Sequence, residues 1–156
     1  MPALGADFLG SAWSPWPPHN LDGSLNIVSG PRKITADIIS VCLIRRGEDP
    51  LHPDLGMAPL LFEPLSNYDP QFWVYEAEST IKKWVAGIDK LTVRIPDYED
   101  YKNRLTTEIS FIPLQQPDLN ILTFPWYTYE GALWDQNLQG FLRAVSLNGQ
   151  PFFGLT

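Results

Sequence analysis

Glu48, Asp49, His52 and Asp54 fall within one short stretch of the chain. Carboxylates beside an imidazole can hold a divalent cation or share a proton in acid–base catalysis. The His52-x-Asp54 spacing has little specificity of its own. Pro50, Pro53 and Gly56 account for the stretch as a tight loop without any chemistry. A second acidic group, Asp97, Glu99 and Asp100, lacks the alternation and distal Glu of a calcium loop and reads as a solvated turn. A glycosidase needs two carboxylates about 5–10 Å apart, one with a raised pKa. Glu48 could be paired with Glu63 or Glu76, and nothing in the spacing selects either. Cys42 has no neighbouring His base and sits on an apolar face, which suits a small core residue better than a nucleophile. The chain shows no Gly-rich phosphate loop, no nucleophile elbow and no Cys/His zinc spacing. No catalytic residue, cofactor or metal site is expected, and the chain is not expected to be an enzyme.

The bulk composition narrows the partners. A net charge of −7 and a sequence pI of about 4.6 repel phosphate backbones, which argues against nucleic acid. Arg32-Lys33 and Lys82-Lys83 are too scattered to form a basic stripe. With 44% hydrophobic and 19% charged residues, the chain can bury a core. Fifteen Pro and eleven Gly call for many turns and irregular arms around it. The first twenty residues contain no Lys or Arg and no long apolar run, so they read as neither signal peptide nor anchor. No stretch approaches the roughly 18 apolar residues of a membrane span. A single cysteine excludes an internal disulfide and fits a reducing compartment. A soluble protein assembled in a cytoplasm is expected.

The elements that must position these residues follow from periodicity. Ile34, Ile38, Val41 and Cys42, widened by Ile39 and Leu43, predict a helix over about Thr35–Arg46. Arg45 and Arg46 are placed in its last turn, with Gly47 as C-terminal cap. Asp69 and Pro70 then open a second helix, with Val74, Ala77, Ile81, Trp84 and Val85 as its buried stripe and Gly87 at its end. Glu78 and Lys82 form an i, i+4 pair on its outer face. The period changes to two at Leu91–Ile95 and again at Leu105–Phe111, giving two half-buried strands around the loop Pro96–Asn103. Asn120–Phe124 is expected as a strand stopped by Pro125. Asn148-Gly149 predicts a two-residue hairpin turn between Arg143–Leu147 and Gln150–Phe153.

The expected fold class is α+β: two main helices packed on a small antiparallel sheet, with extended N- and C-terminal arms. The expected division is an arm at 1–30, a core domain at 31–115 and a second arm at 116–156. Trp13 and Trp16 lie on the Pro-rich first arm. Trp126, Tyr127, Tyr129, Trp134, Phe152 and Phe153 lie on the last. Rings on such arms either fold back on the domain or anchor in a neighbour.

The run Ile34–Gly56 combines an Ile-rich helix with Arg-Arg-Gly47-Glu48-x4-Pro53-Asp54-x-Gly56, and Leu61-Phe62 follows. It resembles the small baseplate wedge family of contractile phages, which includes the short baseplate component of type VI secretion systems. The resemblance covers about residues 30–115, including the second helix with Trp84 and the two strands. Three departures from the family pattern occur: Asp49 in place of Arg, Leu55 in place of Phe, and Val85-Ala86-Gly87 where the family carries Glu-Pro-Arg. That last charged contact therefore does not transfer to this chain.

The resemblance implies a structural subunit of the virion tail baseplate, present in multiple copies in a symmetric assembly. Its partners would be other baseplate wedge and hub proteins and the tail sheath protein, whose assembly it would initiate through strand-mediated contacts. Gly47, Glu48, Pro53, Asp54 and Gly56 would form the signature loop, and the arm aromatics would touch partners. A chain truncated after about residue 117 would then still fold but fail to join its assembly. The alternative is a tail-associated cell-wall hydrolase of the lysozyme type.

Overall fold

The computed structural model describes residues 10–14, 19–57, 70–96, 98–99, 104–114, 116–127 and 145–152. Their order is β1 (Ser11–Trp13), β2 (Ile27–Ser29), α1 (Pro31–Leu43), α2 (Pro70–Trp84), β3 (Ile88–Arg94), β4 (Tyr98–Glu99), β5 (Arg104–Pro113), β6 (Asn120–Tyr127), β7 (Ser146–Leu147) and β8 (Gln150–Pro151). The expected class holds: two helices pack on an antiparallel sheet, so the fold is α+β.

Helix α1 starts at Pro31, whose fixed φ and missing N–H suit a first helical position. It is covered on most sides, burying Ile34, Thr35, Ala36, Ile38, Ile39, Val41 and Cys42. It stops at Leu43, short of the expected Arg46. Ile44 turns extended, at φ −79° and ψ 131°, because the chain there pairs with a later segment instead of continuing the helix. Arg45 bridges Met57 in parallel, the Met57 amide donates to Ile44 O, and the Arg46 amide donates to Met57 O. Arg45 and Arg46 therefore lie outside the helix. Gly47, at φ 89°, serves the turn in which the Glu48 amide donates to Arg45 O.

Helix α2 buries Trp73, Ala77 and Ile81 at four-residue spacing, and Val85, just past its end, continues the stripe. Ala77, Ile81 and Val85 are buried as expected, Trp73 joins them, and Val74 and Trp84 sit at the stripe's margins.

The sheet order is β3-β5-β6-β7-β8, with β4 pairing the far end of β5. Its inner face follows from register: Leu91 opposes Phe111, and Val93 opposes Ile109, which opposes Leu122 on the next strand. All five are buried against the helices. The intervening residues Thr92, Arg94, Ser110 and Thr123 face outward, the alternation of a sheet covered on one side. Arg94 and Glu108, directly opposed on that face, form a two-point ion pair at 3.0 and 3.1 Å.

The C-terminal region contributes strands to the sheet. The boundary expected at residue 115 falls inside one continuous sheet, because β6 pairs with β5 over eight positions. Strand β6 also runs past Pro125 to Tyr127. The partner β7 meets β6 only at Leu122 and Thr123. Pro125 therefore lies where β6 is an edge among the described residues, and an edge tolerates a missing N–H.

The Asn148-Gly149 turn is present, with both residues at positive φ, 54° and 81°, as a type I′ hairpin turn requires. Its position is stapled. Asn148 Oδ1 accepts from the Ile121 amide at 2.7 Å, and Asn148 Nδ2 donates to Asn120 Oδ1 at 3.1 Å. The hairpin thus adds to the chain's own sheet. It brings Val145 and Phe152 into the core, and the Arg32 guanidinium closes over the Phe152 ring while donating to its carbonyl.

Candidate functional site

The signature stretch forms a loop, Ile44–Met57, lying against α2. Its two ends are zipped together by the bonds between Ile44, Arg46 and Met57 described above. That closure requires Gly56, at φ 103°. A Cβ there would lie 2.3 Å from the Ile44 carbonyl oxygen. Within the loop, Glu48 Oε2 accepts from the Arg45 amide at 3.0 Å. Asp49 Oδ1 accepts from the Leu51 amide at 2.9 Å, an Asx turn, and its other oxygen faces His52 Nδ1 at 3.1 Å.

The loop grips the helix at successive levels. Arg46 reaches Glu76 at 2.7 Å and also the Gly56 carbonyl. Asp54 pairs with Lys83. The His52 ring meets Trp84 edge-on with centroids 5.6 Å apart, and Lys83 lies over the same indole. Glu76 is nine-tenths buried, with one carboxylate oxygen on Arg46 and the other without a hydrogen-bond partner among the described residues.

This arrangement bears on the chemistry considered first. Asp49 turns to His52 and Asp54 turns away to Lys83, so the acids and the imidazole do not converge on one point. Among the described residues no group of three or more His, Cys, Asp or Glu could hold a metal ion. The His52 side chain and the Leu51 amide hold Asp49 below the usual carboxylate range. Lys83 does the same for Asp54. A general acid needs the opposite shift. Burial pushes the Cys42 thiol up to about 12, which keeps it protonated and inert.

A pH dependence follows. A depressed carboxylate pKa favours the folded loop above the unfolded value of 3.8 and loses that effect as pH falls through the lower folded value. Acidification below about 3.8 is expected to loosen this loop. Amide exchange at Leu51 should accelerate there ahead of that in β5. Equal acceleration in both would show that the aspartates do not hold the loop.

The residues expected from sequence are distributed as follows. Gly47, Glu48, Pro53, Asp54 and Gly56 are together in the loop. Trp13 is on β1 and 57% exposed, opposite Ile27, which is 55% exposed. Trp126 and Tyr127 lie on β6, their backbones paired with Leu105 and Arg104. Phe152, expected to touch a partner, is instead 2% exposed in the chain's own core, because the hairpin folds back on β6. Trp16, Tyr129, Trp134 and Phe153 lie outside the described residues. Sequence reasoning missed Arg46, Glu76 and Lys83 as the loop's braces. Each pairs across a long separation, and no local pattern signals that.

No family model matches the chain, and no curated protein matches it. Among solved structures, the fold is shared with a protein of Geobacter sulfurreducens described as a candidate tail lysozyme. The TM-score is 0.58 at 21% identity, over 70% of this chain and the whole of that one. At that identity the likeness is one of fold. No helix among the described residues is long and apolar enough to cross a membrane.

Proposed function

We propose that this chain is a structural subunit of a contractile tail baseplate, joining wedge and hub proteins and initiating sheath assembly by strand-mediated contact. The observation that carries the reading is the β1–β2 ribbon. Its inner residue Val28 packs on the core, while Trp13, Leu25 and Ile27 present an apolar outer surface at 57%, 48% and 55% exposure. Apolar surface of that kind marks contact with another protein. The fold shared with a tail protein supports the same placement. The acidic loop supports it too, since Glu48 and Asp49 are engaged in the loop's own turns and Asp54 in a pair with Lys83 of α2.

The test is complementation of particles lacking this protein, viewed by negative stain. The wild-type chain should restore sheathed tails, and the double variant Trp13→Ser, Ile27→Ser should fold yet leave tubes without sheath. Normal sheathed tails from the double variant would remove the ribbon from the account.

A second reading, a cell-wall hydrolase of the tail, is favoured by the description of the Geobacter protein. Peptidoglycan turnover by the purified chain, lost in Glu48→Gln, would establish it. The Glu48 carboxylate accepts from its own turn, which is a bracing role.

A further inference from the structure

Strand β3 is the outermost strand of its sheet among the described residues, with β5 on one side. Its backbone groups divide by register. Lys90, Thr92 and Arg94 sit opposite Ile112, Ser110 and Glu108, and Leu91 and Val93 alternate with them. The Val93 amide does not join the ladder: it donates to Glu78 Oε1 at 3.1 Å, from a helix fifteen residues earlier. The outward edge is therefore made by Leu91 and Val93, and a helix side chain occupies its Val93 donor.

An edge without a neighbouring strand among the described residues is a template for a second strand, and natural sheets block such edges with charge or with competing groups. A second copy of β3 would pair antiparallel about Thr92, setting Leu91 against Val93 through their outward groups. In that register Lys90 of one copy faces Arg94 of the other on the exposed face. Like charges directly opposed disfavour the pairing.

We infer that Glu78 is an edge guard: by capping Val93 it keeps β3 from pairing with a second copy of this chain, and Lys90 reinforces the block. The carboxylate that sequence periodicity would assign to a surface pair with Lys82 is spent on the sheet. This inference is independent of the tail reading, since it concerns the free chain alone.

The experiment compares purified full-length wild type, Glu78→Gln, Glu78→Ala and Glu78→Asp by sedimentation over a range of concentrations, with amide exchange at Val93. Gln keeps an acceptor at the same reach, so E78Q should stay monomeric like wild type. Ala removes the acceptor and Asp withdraws it by one methylene. Both should self-associate about tenfold more strongly, the effect of one donor seeking a new partner. Adding Lys90→Glu to either variant turns the cross-pair attractive and should strengthen association further, with Val93 protected in the associated form. Should E78A fail to fold, E78D carries the test. Monomeric E78A and E78D would overturn the inference, as would association indifferent to Lys90→Glu or a wild type already paired through β3.

Discussion

Truncation after Pro117 is expected to leave a chain with no cooperative unfolding transition. The cut removes β6, β7 and β8, and with them Leu122, Val145 and Phe152, which are 0%, 0% and 2% exposed. Burial of each such side chain contributes about 1.5–3 kcal/mol. Their sum approaches the entire stability of a domain of this size, about 5–15 kcal/mol. The cut also strips β5 of its longer ladder and uncovers Ile109 and Phe111. The retained helices would have half a sheet to pack on. Thermal melting by circular dichroism is the measurement. A sigmoidal melt close to that of the full chain would mean that the C-terminal strands are appended to the core and not built into it.

The second large effect is expected at Gly56. Gly56→Ala places a methyl 2.3 Å from the Ile44 carbonyl oxygen and 2.8 Å from its carbon, at a φ of 103° that L-residues avoid. Both obstacles are backbone, so no side chain can swing aside. The closure of the loop on Ile44 must open, and the grip of Arg46 and Asp54 on α2 loosens with it. A loss of about 3 kcal/mol or more is expected from strain and clash combined. Gly47→Ala is the control. Gly47 has φ 89° but open space where a Cβ would stand, so the cost is the backbone term alone, about 1 kcal/mol. Urea denaturation of the two variants should separate them by about 2 kcal/mol. Equal midpoints would mean that the loop's closure on Ile44 contributes nothing to stability.

These two effects differ in how far the sequence foretells them. That 120–124, 146–147 and 150–151 lie in strands, and that Asn148-Gly149 turns between the last two, is legible locally. An alternating pattern and a pair of residues tolerant of positive φ act over a few positions. Where such strands pair is not local. Strand β6 takes β5 as its neighbour over eight positions, a pairing that no local pattern specifies. Pro125 stops a strand only where a strand on its N–H side needs that donor, and the reach of β7 decides that. The sequence also shows Gly56 as a turn residue, but not that Ile44 stands behind it.

By itself the sequence determined the class of the fold, the two helices and most strands, because periodicity and turn chemistry operate within a few residues. It also marked the loop from Gly47 to Gly56 and the ring on β1. Only the tertiary structure decided that the loop's acids brace α2 through Lys83 and its own turns, that Glu78 caps Val93, and that Phe152 lies inside. Those outcomes rest on contacts between residues far apart in the chain. The distances that select them are set by how the helices and sheet pack, and no short stretch of residues encodes that.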